Sequence, residues 1–202
     1  MEREQPNGQP EPMGQEAEPT DGPRIYVASL SDYNAGILHG TWLDAQQEPD
    51  DLQAGIDRML AESPTTKRYG EPAEEWRIDD FEGWGKIDIN EFESLTTIAR
   101  LADGLVTHGE AFAAWVYLVG GRDDEEINEF EDRYQGEYAS LDEFGNSILD
   151  DMGFDLDEIS GIPDGLRPYV AVDVAGWTRD MELGGHIATV ESDRGVYVFW
   201  AN

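Results

Sequence analysis

The side chains with most chemical capacity in this chain are carboxylates, and they crowd into DDEEINEFEDRYQGEYASLDEFGNSILDDMGFDLDE, from Asp123 to Glu158. Fifteen stand there: Asp123, Asp124, Glu125, Glu126, Glu129, Glu131, Asp132, Glu137, Asp142, Glu143, Asp150, Asp151, Asp155, Asp157 and Glu158. Two arginines answer them, Arg133 within the run and Arg122 just ahead of it. Ionised carboxylates accept hydrogen bonds and attract cations, so as a set they offer a docking surface for positive charge. As acid–base catalysts they carry no information, because 45 acids in one chain bring carboxylates together by abundance alone.

Other chemistries find less support. His39, His108 and His186 are far apart and follow no zinc-ligand spacing. There is no cysteine, which excludes disulfides and thiolate metal sites. Neither G-x-x-x-x-G-K-[ST] nor G-x-G-x-x-G occurs, so no loop is built to cradle phosphate. The closest approach to a calcium-binding EF-hand loop, DDMGFDLDEISG, fails at the glycine and at the final glutamate. The expectation is a protein without cofactor or metal, and not an enzyme.

The acids need elements to position them. A charge run this dense is ordinarily a solvated tail. Here Ile127, Phe130 and Tyr134 fall at i, i+3 and i+7, the spacing of one helix face. Glu125, Glu129 and Asp132 then lie opposite, rising by roughly 6 and 4.5 Å along the axis. Leu141, Phe144, Ile148, Leu149 and Met152 predict a second amphipathic helix, with Glu143 and Asp150 pointing away from the buried stripe. Asp123 with Glu126 and Ser140 with Glu143 are expected caps. Like charges at i, i+4 cost a helix roughly 0.2–0.5 kcal/mol per pair. A segment that tolerates several gives up stability, and a partner that wants negative charge accounts for the loss.

The whole chain has the same sign. Forty-five acids and 13 bases leave a formal charge of −32, with Lys67 and Lys86 the only lysines. Such a field repels nucleic acid and anionic membrane and attracts basic surfaces. Duplex DNA carries about one charge per 1.7 Å of axis, so this charge matches roughly 54 Å of duplex, about 16 base pairs. That is the scale of a protein imitating DNA. The competing explanation is salt adaptation, in which an acidic binding or scaffold protein has no DNA-processing partner. With 39% hydrophobic residues and six tryptophans, the chain as a whole is expected to fold. No apolar run approaches a membrane span and no signal-peptide core opens the chain, so a cytoplasmic, membrane-free protein is expected.

In order, residues 1–22 hold Pro, Gly, Gln and Glu and predict a disordered tail. RIYVASL and ILHGTWL predict strands about an SDYNAG turn. PDDLQAGIDRMLAE predicts a helix capped at Asp50 with Gln53, SPTTKRYGEPAE a loop, and EEWRIDDFEGW a third strand. From Asn90, paired with Glu93, the helical face Phe92, Leu95, Ile98, Leu101 and Leu105 begins, and Thr107 with Glu110 opens a helix ended by Gly120-Gly121. After the acidic stretch, GIPDGLRPYVAVDVAGWTRDMEL suggests a helix, and GGHIATV and GVYVFWA a closing hairpin. The expectation is an α+β fold of three small domains: 23–89 with a small sheet and helix, 90–121 helical, and 122–202 acidic with a hairpin.

Three segments together resemble the ArdA antirestriction proteins. They are RIYVASLSDYNAGILHGTWLD, then EEWRIDDFEGW, then SLDEFGNSILDDMG followed by IPDGLRPYVAVDVAGWTRDMELGGHIATVESDRGVYVF. The likeness covers about residues 24–201; it departs at GWTRD, and the middle helices match only in character. It implies an elongated three-domain α+β homodimer whose acids imitate the phosphates of bent B-form DNA. It further implies occupation of the DNA groove in the specificity/methyltransferase core of type I restriction–modification enzymes, blocking restriction and often modification. Genes of this kind usually travel on mobile genetic elements. The family's acidic antirestriction stretch corresponds to Leu141–Glu158, with Asp142, Glu143, Asp150, Asp151, Asp155, Asp157 and Glu158. The dimer contact corresponds to Tyr169, Val170, Val172, Val174 and Trp177.

Overall fold

The computed structural model describes residues 22–120 and 124–201. It has the mixed helix-and-strand character expected, with two small antiparallel sheets. The described residues form two compact units, one from 22–84 with 88–106, the other from 85–87 with 107–120 and 124–201. The expected tail 1–22 lies, but for Gly22, outside the described residues.

In the first unit, alternation in RIYVAS makes β1 (Arg24–Ser29), with Ile25 and Val27 fully buried. The turn expected at SDYNAG is instead a short helix, α1 (Leu30–Asn34), because the Ser29 hydroxyl accepts from the Asp32 amide and caps it. The second strand therefore starts late, as β2 (Gly40–Asp44). Helix α2 (Pro49–Ala61) buries Leu52, Ile56, Met59 and Leu60 and packs on β1 and β2. Gly55 lets it approach, since a Cβ there would stand 2.8 Å from Leu43 Cδ2. Its cap is Glu48 with Pro49 in the first turn, not Asp50, and the Gln53 amide donates to Asp57 instead.

The expected loop after α2 contains α3 (Pro64–Tyr69), capped by the Ser63 hydroxyl. The third strand is β3 (Trp76–Glu82), giving the order β2-β1-β3. Helix α4 (Leu95–His108) buries Ile98 and Leu101. Its cap is Ser94, whose hydroxyl accepts from the Thr97 amide, while Asn90, whose side chain donates to Glu93, lies ahead of the helix and Phe92 is 70% exposed.

In the second unit α5 (Glu110–Val119) starts at Gly109, in left-handed backbone at φ +64°, so Thr107 belongs to the last turn of α4 rather than to a cap. Gly120, also left-handed, ends α5 as expected. The single acidic helix expected over 124–134 is broken into α6 (Asp124–Asn128) and α7 (Phe130–Arg133), and Tyr134 opens a strand, β4 (Tyr134–Tyr138). Aromatic packing decides this. Phe130 stacks on Tyr134 at 5.2 Å and lies 5.5 Å from Phe112, and Tyr134 meets Phe199 at 5.5 Å.

Helix α8 (Leu141–Asp151) has the expected cap, Ser140 Oγ accepting from the Glu143 amide, but Met152 is 71% exposed and not in its buried stripe. The helix expected from 161 onward is a 3₁₀ turn at Arg167–Tyr169, with Pro168 inside it, followed by α9 (Val174–Leu183). Helices α8 and α9 pack together at Gly145, where a Cβ would stand 2.5 Å from Thr178 Cγ2 and 2.6 Å from Val174 Cγ1. The closing hairpin is β5 (Ile187–Ser192) and β6 (Gly195–Trp200), and β6 lies between β4 and β5.

Candidate functional site

Two elements of the acidic stretch rest on buried aromatic anchors. Phe130 under α7 and Phe144 under α8 are buried, and each helix turns its acids outward. The indole of Trp115 donates to the Glu126 carbonyl at 2.9 Å, tying α6 to α5. Of the fifteen acids, Asp123 lies outside the described residues, and the side chain of Asp124 is likewise not described. Among the thirteen others, Glu125, Glu126, Glu129, Glu131, Asp132, Asp142, Glu143, Asp150, Asp151, Asp155, Asp157 and Glu158 are exposed. Glu137, on β4, is half-buried.

Several of these carboxylates have local work. Glu129, on the outward stripe that gave no sequence reason for its presence, pairs with Arg133 at 2.9 Å. Glu143 accepts from the Ala139 amide at 2.7 Å, completing the cap of α8. Asp155 accepts from the Asp157 amide at 2.8 Å. Glu131 lies 3.6 Å from His108 Nε2, and the His108 ring lies tilted against Phe130 at 4.7 Å. Glu137 is held below the usual carboxylate range by a hydrogen bond from Ser192, against the opposing effect of burial, with Arg194 as its ion-pair partner. Asp132, Asp142, Asp150, Asp151 and Glu158 have no ion-pair partner among the described residues. Glu129, Asp132 and Arg133 share an open cleft of about 310 Å³ with Trp200.

No three His, Asp or Glu side chains among the described residues converge where a metal ion could sit. The remaining histidine expected in a strand, His39, stands just before β2 and donates through Nε2 to the Met59 carbonyl at 2.7 Å. No helix of the described residues is long and apolar enough to cross a membrane.

The segment singled out for subunit contact is open in the single chain. Tyr169 is 85% exposed, and Val170 and Val172 are exposed at 37% and 38%. Val174 and Trp177 are half-buried in α9, where Val174 flanks Gly145. Met152, Phe154, Leu166 and Leu183 add further exposed apolar surface in the same part of the sequence.

Arg167 has a role that reasoning from charge patterns missed. It reaches back to the carbonyls of Leu156, Asp157 and Ile159. The available signal was its isolation: between Asp155 and Asp173 it is the one base among Asp155, Asp157, Glu158, Asp164 and Asp173.

Residues 25–196 match the family model of the antirestriction protein ArdA, a span running from β1 into β6 and including the whole acidic stretch. No curated protein is similar enough to the chain to count as a match. The family consists of inhibitors rather than enzymes. With so much of its length accounted for, this protein belongs to the ArdA family of antirestriction proteins.

Proposed function

We propose that the acidic surface of the second unit imitates the phosphate backbone of B-form DNA and fills the duplex-binding groove of type I restriction–modification enzymes. In this reading the carboxylates dock onto arginines and lysines of the specificity/methyltransferase core that otherwise hold phosphates. Restriction is blocked by competition, and modification with it, because both begin by holding the same duplex. A second copy of the chain joins through Tyr169, Val170, Val172, Val174 and Trp177, doubling the matched length. The protein does not itself bind nucleic acid and acts without a cofactor.

The observation that carries the reading is the exposure of twelve of the thirteen described acids between Glu125 and Glu158, over a segment that is nonetheless folded on buried Phe130 and Phe144. Asp132, Asp142, Asp150, Asp151 and Glu158 have no ion-pair partner among the described residues, which supports a surface open to a basic partner.

The test is displacement of a DNA duplex from a purified type I methyltransferase core across a salt series. The parent protein is expected to displace it with an affinity that falls steeply with salt, as counterions are released from both surfaces. Changing Asp132, Asp142, Asp150, Asp151 and Glu158 together to amides is expected to weaken displacement about sixtyfold or more, at roughly 0.5 kcal/mol or more per lost charge contact. Undiminished displacement by that variant would falsify the assignment of this surface. Salt adaptation instead predicts a fold that melts in dilute buffer and no displacement at any salt concentration.

A further inference from the structure

The turn that ends the acidic stretch has little packing to hold it. Residues Leu156–Glu158 form a single 3₁₀ turn with no buried residue. Asp155 starts it by capping the Asp157 amide, and the Glu158 and Ile159 amides bond to the carbonyls of Asp155 and Leu156, both at 3.2 Å. Three acids, Asp155, Asp157 and Glu158, project from this turn into solvent.

What closes it is one guanidinium. Arg167 donates to the carbonyls of Leu156 at 3.4 Å, Asp157 at 2.8 Å and Ile159 at 3.1 Å. It also lies 3.9 Å from the Asp157 carboxylate and 3.6 Å from that of Asp164. Its own main chain is fixed, the amide bonding to the Pro163 carbonyl at 3.2 Å. A planar fork with five donors can hold three carbonyls at once, whereas a lysine ammonium presents a single point.

We infer that Arg167 is a positioning residue for the acidic surface: it sets the spacing of Asp155, Asp157 and Glu158 before a basic partner arrives. The inference rests on the function proposed above. A surface ordered in advance loses less freedom on binding and so binds more tightly. The sign of the effect separates this role from simple charge. Removing a cation makes the surface more negative, which by charge alone strengthens attraction to a basic groove. Loss of positioning weakens it.

The full-length chain with Arg167→Gln, with Arg167→Lys, and with Arg179→Gln as a control at an exposed arginine of α9, is measured in the same duplex-displacement assay across salt. Both Arg167 variants are expected to bind about tenfold more weakly. Their dependence on salt is expected to flatten as up to three carboxylates leave the contact, which a mere loss of folded protein would not produce. The control stays at the parent value or binds slightly tighter. By NMR, amide exchange at Glu158 and Ile159 is expected to accelerate in both Arg167 variants. An Arg167→Gln protein that binds as tightly as the parent, or full rescue by lysine, overturns the inference. A parent that displaces no DNA sinks the proposed function instead, and unchanged exchange at Glu158 and Ile159 then counts against Arg167 independently.

Discussion

In the first unit a carboxylate is wholly enclosed. Asp32 is fully buried, its Oδ1 accepts from the Thr65 amide at 2.8 Å, and Ser29, Ser31, Ser63 and Thr65 crowd round it with their hydroxyls. Burial alone would raise its pKa, but hydrogen bonds from Ser29, Ser63 and Thr65 outweigh that and bring it down to about 2. In the second unit the acids of 125–158 other than half-buried Glu137 stand in solvent, several without a cation partner among the described residues. One carboxylate joins α1 to α3 and so stabilises the fold. Of the others, Glu129 and Glu143 serve it locally, while Asp132, Asp142, Asp150, Asp151 and Glu158, with no cation partner among the described residues, contribute repulsion. The arginines divide in the same way. In the first unit Arg24 lies over Trp42 at 4.5 Å while pairing with Glu82, and Arg77 lies over Tyr33 at 4.5 Å while pairing with Asp79. These link strands and helices of the sheet. In the second, Arg133 and Arg167 brace the acidic segment itself. An acidic composition therefore says nothing by itself about which acids fold the protein and which serve a partner.

The contrast breaks most readily at Asp32. Asp32→Ala is expected to cost the first unit about 3 kcal/mol, from the lost hold on α3 and a buried amide left without an acceptor. Urea denaturation would measure it, and the folded fraction should still displace DNA as the parent does. A loss under about 0.5 kcal/mol would mean that the enclosed carboxylate is not a fold-holding one. Next in size is its response to acid. With the folded pKa below the ordinary 3.8, the stabilisation is fully present above pH 4 and drains away as pH falls from about 4 to about 2. The amount at stake is on the order of 2 kcal/mol. Asp32→Asn should flatten that part of the stability–pH curve, and a curve identical to the parent's would contradict the assignment. The smallest effect probes the second unit. At Gly145, an alanine gains about 1 kcal/mol in helix propensity but must push Thr178 and Val174 aside, at about 1–3 kcal/mol. A net loss of roughly 1 kcal/mol in thermal melts is expected, and a more stable Gly145→Ala protein would show that α8 and α9 do not meet as closely as described.

Much of the fold was legible where residues specify structure locally. The alternation of RIYVAS, the apolar spacing of Leu52, Ile56, Met59 and Leu60, the Ser140 cap and the hairpin about Asp193–Arg194 all appear where their patterns place them. What was not legible depends on distant partners. Tyr134 fits a helix with Ile127 and Phe130, and it becomes a strand residue because β6, some sixty residues later, pairs with it through Phe199. Helix α3 reads as a loop until Asp32 takes up the Thr65 amide across 33 residues. For the candidate surface, charge density located the stretch, but not that Glu129 and Glu143 are partly occupied in pairing and capping. Nor did it show that Arg167, beyond its end, holds the last turn.

Gly145 has one more consequence. The rotation of α8 about its own axis is set at its inner side, by a position with no side chain closing against α9. Asp142, Asp150 and their neighbours on the outer side take no part in that fit. The outward positions can thus be rewritten, singly or in combination, while the scaffold beneath keeps its orientation. That separation makes the helix a natural place to redesign the protein against a groove with a different arrangement of cations.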